Sequence, residues 1–374
     1  MLTGRRIVRQ RLGGRARLSA CLALAVSLPA GPSYGQDAVT VRADFTFYGD
    51  NTEFANPFRT GDTLLGNWGQ VFADVQIGDR VRLRGGLFGN WRYGDIRRVG
   101  QLSPVLALVI GSERQRFVFG TLETVRRNEG IGPDLTGPHG LPPPVQVETL
   151  AFTRPFEAGL QWLIDLPRLE QDAWIHWQRL NTPRQREQFD AGVVGRLGLG
   201  SGFGVPYVWH VVHRGGQRYA AGPVADSHAG GAGISWAGRT GRVDRLSIDT
   251  LVLGSAHVPD REDSAASLRG RAWFVRAAVR EGPWRAHATS WRARDFVKEE
   301  GDPNYQALRR DGSFFRNVRD YSEVGVTRVF HPAAEVEFET SARVHVVERQ
   351  WAYSYRLLAR VGLVWRVKPA RQHP

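Results

Sequence analysis

The sequence predicts an all-β protein, a transmembrane antiparallel β-barrel of about 16 strands with short periplasmic turns and long outer loops. Three observations carry that prediction. Apolar and polar residues alternate with period two in segment after segment. The connectors switch regularly between tight turns and longer polar loops, as in outer-membrane barrels. Beyond the N-terminus no stretch approaches the roughly 20 apolar residues of a membrane-spanning helix.

The chain has 374 residues and a formal net charge of +13. Its first part holds Arg5, Arg6, Arg9, Arg11, Arg15 and Arg17, then an apolar run from Leu18 to Ala30. This is the composition of an export leader, and small residues at Ser33 and Gly35 offer a cleavage point. Residues 1–35 therefore read as a cleaved signal peptide and 36–374 as one barrel domain. Removing the six leader arginines takes the charge from +13 to +7, too modest an excess to imply nucleic acid. The single cysteine, Cys21, lies in the leader, so the mature chain has no disulfide framework, thiol nucleophile or thiol-based zinc site.

The strands follow in order. Val39, Val41, Ala43, Phe45 and Phe47 alternate with polar residues and open the wall at 38–48. Further strands are expected at 65–77, 81–92, 101–110, 115–122, 146–165, 171–179, 188–198, 203–213, 228–238, 242–253, 269–280, 284–293, 320–330, 334–346 and 353–367. In "VRLRGGLFGNW" the apolar face is Val81, Leu83, Leu87 and Trp91, with Arg82 and Arg84 on the other face. The segment 146–165 contains Pro155, yet Leu150, Phe152, Phe156, Ala158, Leu160, Trp162 and Ile164 keep one phase through it. It is read as one long strand with the proline at a bulge or edge. An even count then returns both ends of the barrel to the periplasm. Outer loops fall near 49–64, 93–100, 123–145, 180–187, 214–227, 254–268, 294–319 and 347–352.

A sheet crosses lipid only when closed, because unpaired backbone groups find no water there. Barrels of this size are too wide for side chains to fill, so size predicts an aqueous pore. Trp162, Trp284 and Trp365 fall at inner strand ends and Trp91 at an outer end, in keeping with aromatic girdles; Tyr48, also at an outer end, is in the inward phase, and the outward Trp273 is nearer mid-strand. A leader, amphipathic strands, eight outer loops and a final strand "YRLLARVGLVWRV" together resemble Gram-negative outer-membrane porins. The resemblance is architectural and covers the mature chain; porin-like barrels end on a terminal aromatic, whereas here "KPARQHP" follows Val367. It implies the bacterial outer membrane, contacts with outer-membrane lipid, lipopolysaccharide and the barrel-assembly machinery, and leaves a homotrimer open. It also implies that the third outer loop, with Arg126, Arg127, Glu129, Asp134 and His139, folds inward to constrict the pore.

The inward phase holds Arg82, Arg84, Arg92, Arg276, Arg343, Arg356 and Arg360, and the neighbouring Glu335, Glu337 and Glu339 face the last strand. The plain reading is a ladder of cross-strand ion pairs. The functional reading is an arginine-lined lumen that passes small polar or anionic solutes. Export of an acidic polysaccharide and a barrel hydrolase are the alternatives. His210, His213 and Asp226 gather around one loop and His176 lies beside Trp174, but no spacing marks a nucleophile or base, so the chain reads as no enzyme. "GLGSGFG" lacks the lysine and helix of a phosphate loop and reads as a turn. No cofactor and no metal site is expected.

Overall fold

The structure is a computed structural model and describes residues 39–94, 100–124, 136–216, 218–219, 221–241 and 243–367. The expected signal peptide and the loop residues Arg126, Arg127, Glu129 and Asp134 lie outside the described residues.

The wall strands are β1 Val39–Ala55, β2 Thr60–Gln76, β3 Val81–Arg92, β4 Gln101–Gly111, β5 Gln115–Thr121, β6 Ala158–Leu166, β7 Leu169–Arg179 and β8 Glu187–Gly200. They continue as β9 Phe203–Gly215, β10 Ala225–Thr240, β11 Val243–Val258, β12 Leu268–Glu281, β13 Trp284–Arg294, β14 Arg319–Ala333, β15 Val336–Val347 and β16 Gln350–Val367. Each pairs antiparallel with its neighbour in sequence, and β1 pairs with β16, from Val39 opposite Val367 to Glu53 opposite Tyr353, which closes the barrel. Closure leaves no edge strand and pairs the backbone along the whole ladder.

Alternation sets the two faces. On β16, Tyr353, Tyr355 and Leu357 are exposed on the outer surface, while Ser354, Arg356 and Leu358 are buried in the lumen. Val81, Leu83, Leu87 and Trp91 point outward, as their phase requires. Several strands run beyond the expected apolar belt. β1 and β2 extend to Ala55 and Thr60, so the loop expected at 49–64 shrinks to 56–59.

One element differs in kind. Residues 146–157 are not strand: after a single 3-10 turn at Pro138–Gly140 comes a short helix, α1, Leu150–Thr153, and β6 starts only at Ala158. Phe152 and Phe156 share a face in a strand and also in a helix, because an interval of four satisfies both periods. Instead of meeting lipid they enter the lumen, Phe152 against Tyr48 (ring centroids 5.4 Å apart) and Phe156 against Phe88 (5.2 Å). Pro155 removes a donor that a strand over 146–165 would need, and Pro142, Pro143 and Pro144 keep the chain just before it out of a strand.

A second outer segment, 295–318, also turns inward, and the two are stitched together. Val147 N–H donates to the Glu300 carbonyl (2.8 Å), Asp302 N–H to Pro143 (2.8 Å) and the Gln306 amide to Pro144 (3.3 Å). Leu141, Val145, Phe296 and Tyr305 from these segments pack with Trp174, Phe274 and Trp291 of the wall in one buried cluster. The outer half of the lumen thus carries a core, and the inner half remains a vestibule of about 900 Å³.

Candidate functional site

The inward charges divide between the vestibule and the core above it. In the vestibule Arg84 donates to Asp74 (2.8 Å) and lies 3.5 Å from Glu123, while Arg82 lies 4.0 Å from Glu113. Arg360 bridges Glu337 (2.6 Å) and Glu339 (3.1 Å), its neighbours on β15. Glu335 contributes its backbone carbonyl to Gly362 N–H at 3.0 Å. Arg92 stands inward opposite Gly66, and Arg276 is buried and donates to Thr289 at 3.2 Å.

Arg356 does not join the Glu335–Glu339 row. The register sets it opposite Ser341, and it turns to Asp50 (2.7 Å) and to Glu148 of the inward loop (2.8 Å). Arg343 pairs with the same Glu148 oxygen. Burial alone would raise the Glu148 pKa, but the two guanidiniums outweigh it and hold the group down at about 2. This loop is therefore anchored to β15 and β16 by a carboxylate that stays ionised.

His139 of the expected constriction loop is fully buried, stacked on Trp174 at 3.9 Å and held between Asp172 (2.9 Å) and Glu157 (3.0 Å). Burial disfavours its charge, yet the two carboxylates raise its pKa to about 10. Glu157, His176 and Asp190 bring ligand atoms within 4.8 Å of one another, a spacing a cation would accept. Glu157 is already engaged by His139, and Asp190 by Trp174 (3.1 Å) and Gln178 (2.6 Å), so this is a hydrogen-bonded anchor. His213 and Asp226 form a separate pair (2.8 Å) on the outer face, with Arg261 beside it.

Chemistry of another kind sits where the last three strands meet the inward loops. Ser354 on β16, His345 on β15 and Glu323 on β14 converge through the hairpin registers: Glu323 stands directly opposite His345, and Ser354 lies diagonal to it. Ser354 Oγ is 2.8 Å from His345 Nε2. His345 Nδ1 is 2.7 Å from the Tyr321 hydroxyl and 3.3 Å from Glu323 Oε2. Tyr321 gives its proton to Glu323 Oε2 (2.7 Å), and an ionised carboxylate only accepts. In its neutral form His345 then carries its proton on Nδ1, which leaves the Nε2 lone pair facing Ser354. The other Glu323 oxygen is held by His287 at 2.6 Å.

This trio borders a cavity of about 10 Å³ that Arg59, Arg343 and Arg356 also line. Its roof is Pro143, Glu148 and Thr149 from one inward segment and Asp302 and Tyr305 from the other, and Arg59 ties Asp302 to the outer end of the β1–β2 hairpin at 2.5 Å. None of Ser354, His345, Glu323 and Tyr321 is singled out by the sequence analysis. No local motif joins them, because the trio exists only once two hairpin registers are fixed.

The fold has many solved likenesses. The OmpT outer-membrane protein of Vibrio cholerae, in a form lacking loop L8, aligns with a TM-score of 0.55 at 11% identity, covering 88% of this chain and 100% of that one. The anion-selective porin of Comamonas acidovorans gives 0.54 at 8% identity (88% and 100% covered), and OccK8 (OprE) of Pseudomonas aeruginosa 0.52 at 10% (87% and 98%). At these identities the likeness shows the fold, that of a porin-like barrel. No curated protein matches the sequence. A family described as lipid A 3'-O-deacylase-type matches residues 32–368, the full extent of the barrel. That description is of an enzyme, so the expectation that this barrel has no enzymatic activity is overturned. The chain belongs to the lipid A 3'-O-deacylase-type family.

Proposed function

We propose that the protein is an outer-membrane acyl-ester hydrolase acting on an acylated glycolipid of the lipid A class, with Ser354 as nucleophile. The observation that carries this is the Ser354–His345–Glu323 alignment, with the serine on the lone-pair side of the imidazole. His345 Nε2 takes the Ser354 proton as Oγ attacks the acyl carbonyl carbon. The tetrahedral oxyanion collapses, the carbon–oxygen bond to the sugar breaks, and the imidazolium returns its proton to the leaving hydroxyl. Water, deprotonated by the same nitrogen, then releases the fatty acid and restores the serine. Glu323 and Tyr321 fix the tautomer and stabilise the transient imidazolium, and the guanidiniums lining the cavity favour negative charge on the carbonyl oxygen.

A cavity of about 10 Å³ has room for about one water molecule. Substrate entry therefore requires the roof of the two inward segments to lift, as lids do in many hydrolases. The family membership supports the choice of an ester-linked acyl chain as the bond cleaved. The test is the acyl composition of lipid A from cells making the protein or its Ser354→Ala variant, read by mass spectrometry. Loss of one ester-linked chain with the native protein alone is expected. The same loss with Ser354→Ala in a correctly inserted barrel would overturn the assignment.

A second reading is favoured by the vestibule, where Arg42, Arg82, Arg84, Arg116 and Arg360 line about 900 Å³ of inner lumen. There the barrel binds small polar or anionic solutes from the periplasmic side. Equilibrium dialysis of the barrel in detergent against radiolabelled inorganic phosphate tests it: saturable binding that Arg82→Gln weakens supports it, and no binding removes it.

A further inference from the structure

The outward face of the barrel holds charges that neither reading uses. On β12 and β13 the register turns Arg269, Arg271, Arg292 and Arg294 away from the lumen, at the ends of the strands that lead into outer loops, and all four are exposed. Arg271 stands directly opposite Arg294, and Trp273 opposite Arg292. Like charges directly opposite on one face of a sheet destabilise the pair. Among the described residues no carboxylate pairs with Arg271 or Arg294, and Arg292 has only Asp320, 3.9 Å away and itself well exposed. Below the arginines the same face is apolar: Trp273 is 62% exposed, followed by Val275 and, on neighbouring strands, Val252 and Val324.

A cationic pair above an apolar wall, at the outer ends of the strands, matches one ligand chemistry. Phosphate accepts from planar guanidinium groups in a bidentate fashion, and a single phosphate between Arg271 and Arg294 removes their repulsion. Acyl chains beneath it lie along Trp273 and Val275. We propose that this face of β12 and β13 is a binding site for a phosphorylated, acylated glycolipid of the outer leaflet. It is separate from the hydrolytic reading, because Ser354 faces the lumen on β16, and either can fail without the other.

The experiment uses the full barrel in detergent, with native mass spectrometry to count bound lipid. The probes are bisphosphorylated lipid A, the same lipid enzymatically dephosphorylated, and phosphatidylglycerol. Arg271→Gln/Arg294→Gln should weaken the bisphosphorylated lipid at least tenfold, and Arg271→Lys/Arg294→Lys should fall between it and the native protein. Arg328→Gln, an outward arginine at the opposite end of the wall that stacks over Trp284, should change nothing. Equal affinity for the dephosphorylated lipid overturns the phosphate contact. Equal affinity for phosphatidylglycerol overturns the glycolipid assignment. Unchanged binding in both double variants overturns the site.

Discussion

Ser354 and His345 are ordinary strand residues by composition, and their chemistry rests on one proton. Tyr321 has a single hydrogen to give and Glu323 takes it, so in its neutral form His345 donates from Nδ1–H and accepts at Nε2. Glu323→Gln places an amide where the carboxylate stood and permits the wrong tautomer. Turnover should fall by about 10³–10⁴, with the barrel unaltered in its heat-modifiable migration. Tyr321→Phe removes one relay hydrogen bond while Glu323 Oε2 remains 3.3 Å from the ring nitrogen. Its cost should be smaller, about 1 kcal/mol in the activation barrier, read from kcat with KM unchanged. Gly325 leaves room for this arrangement: a Cβ there would come within 2.3 Å of the His287 ring carbon that faces it. Gly325→Ala should therefore disturb the His287 hold on Glu323 and lower kcat.

At the scale of elements, the segment around α1 is held by two ionised groups with opposite titration behaviour. His139 is raised from 6.5 to about 10, so its stabilising charge is complete below pH 6.5 and is lost as pH rises through 10. Glu148 is lowered from 4.5 to about 2, so its contribution is complete above pH 4.5 and is lost as pH falls through 2. Hydrogen-exchange protection of residues 136–157, corrected for intrinsic rates, should peak between pH 4.5 and 6.5. His139→Gln should remove the alkaline limb alone and Glu148→Gln the acid limb alone; a flat profile in the native protein would contradict both anchors. Glu148→Gln also removes the carboxylate that Arg343 and Arg356 share. Breaking a buried pair from one side costs about 3–5 kcal/mol, so this variant should open the roof and expose the segment to protease.

For the whole molecule, the sequence contained the wall and little of what fills it. Period-two patterning located β3, β5, β9, β13 and β16 within a few residues, because a lipid-facing ridge such as Leu357 to Trp365 has no other explanation. It failed at Phe152 and Phe156, where strand and helix periods coincide and the prolines were the only local warning. The charged wall was visible as a face, yet its partners were not: Arg356 meets Asp50 across the closing β1–β16 seam and Glu148 from a loop, contacts separated by 306 and 208 residues. Absence of a local motif does not mean absence of an enzyme: the family is described as one of enzymes, and adjoining strands bring Ser354, His345 and Glu323 together without any local spacing. The outward arginines of β12 and β13 were legible only as alternation until the register set Arg271 against Arg294.

These scales meet in one claim, that Ser354 is a nucleophile activated by His345. The most direct measurement is covalent capture with a fluorophosphonate ester in detergent, followed by peptide mass spectrometry. The account predicts one adduct per chain, on Ser354, formed faster in Glu148→Gln than in the native protein and absent from His345→Gln. No adduct on Ser354 even in the Glu148→Gln barrel, where the roof is loosened, would contradict it.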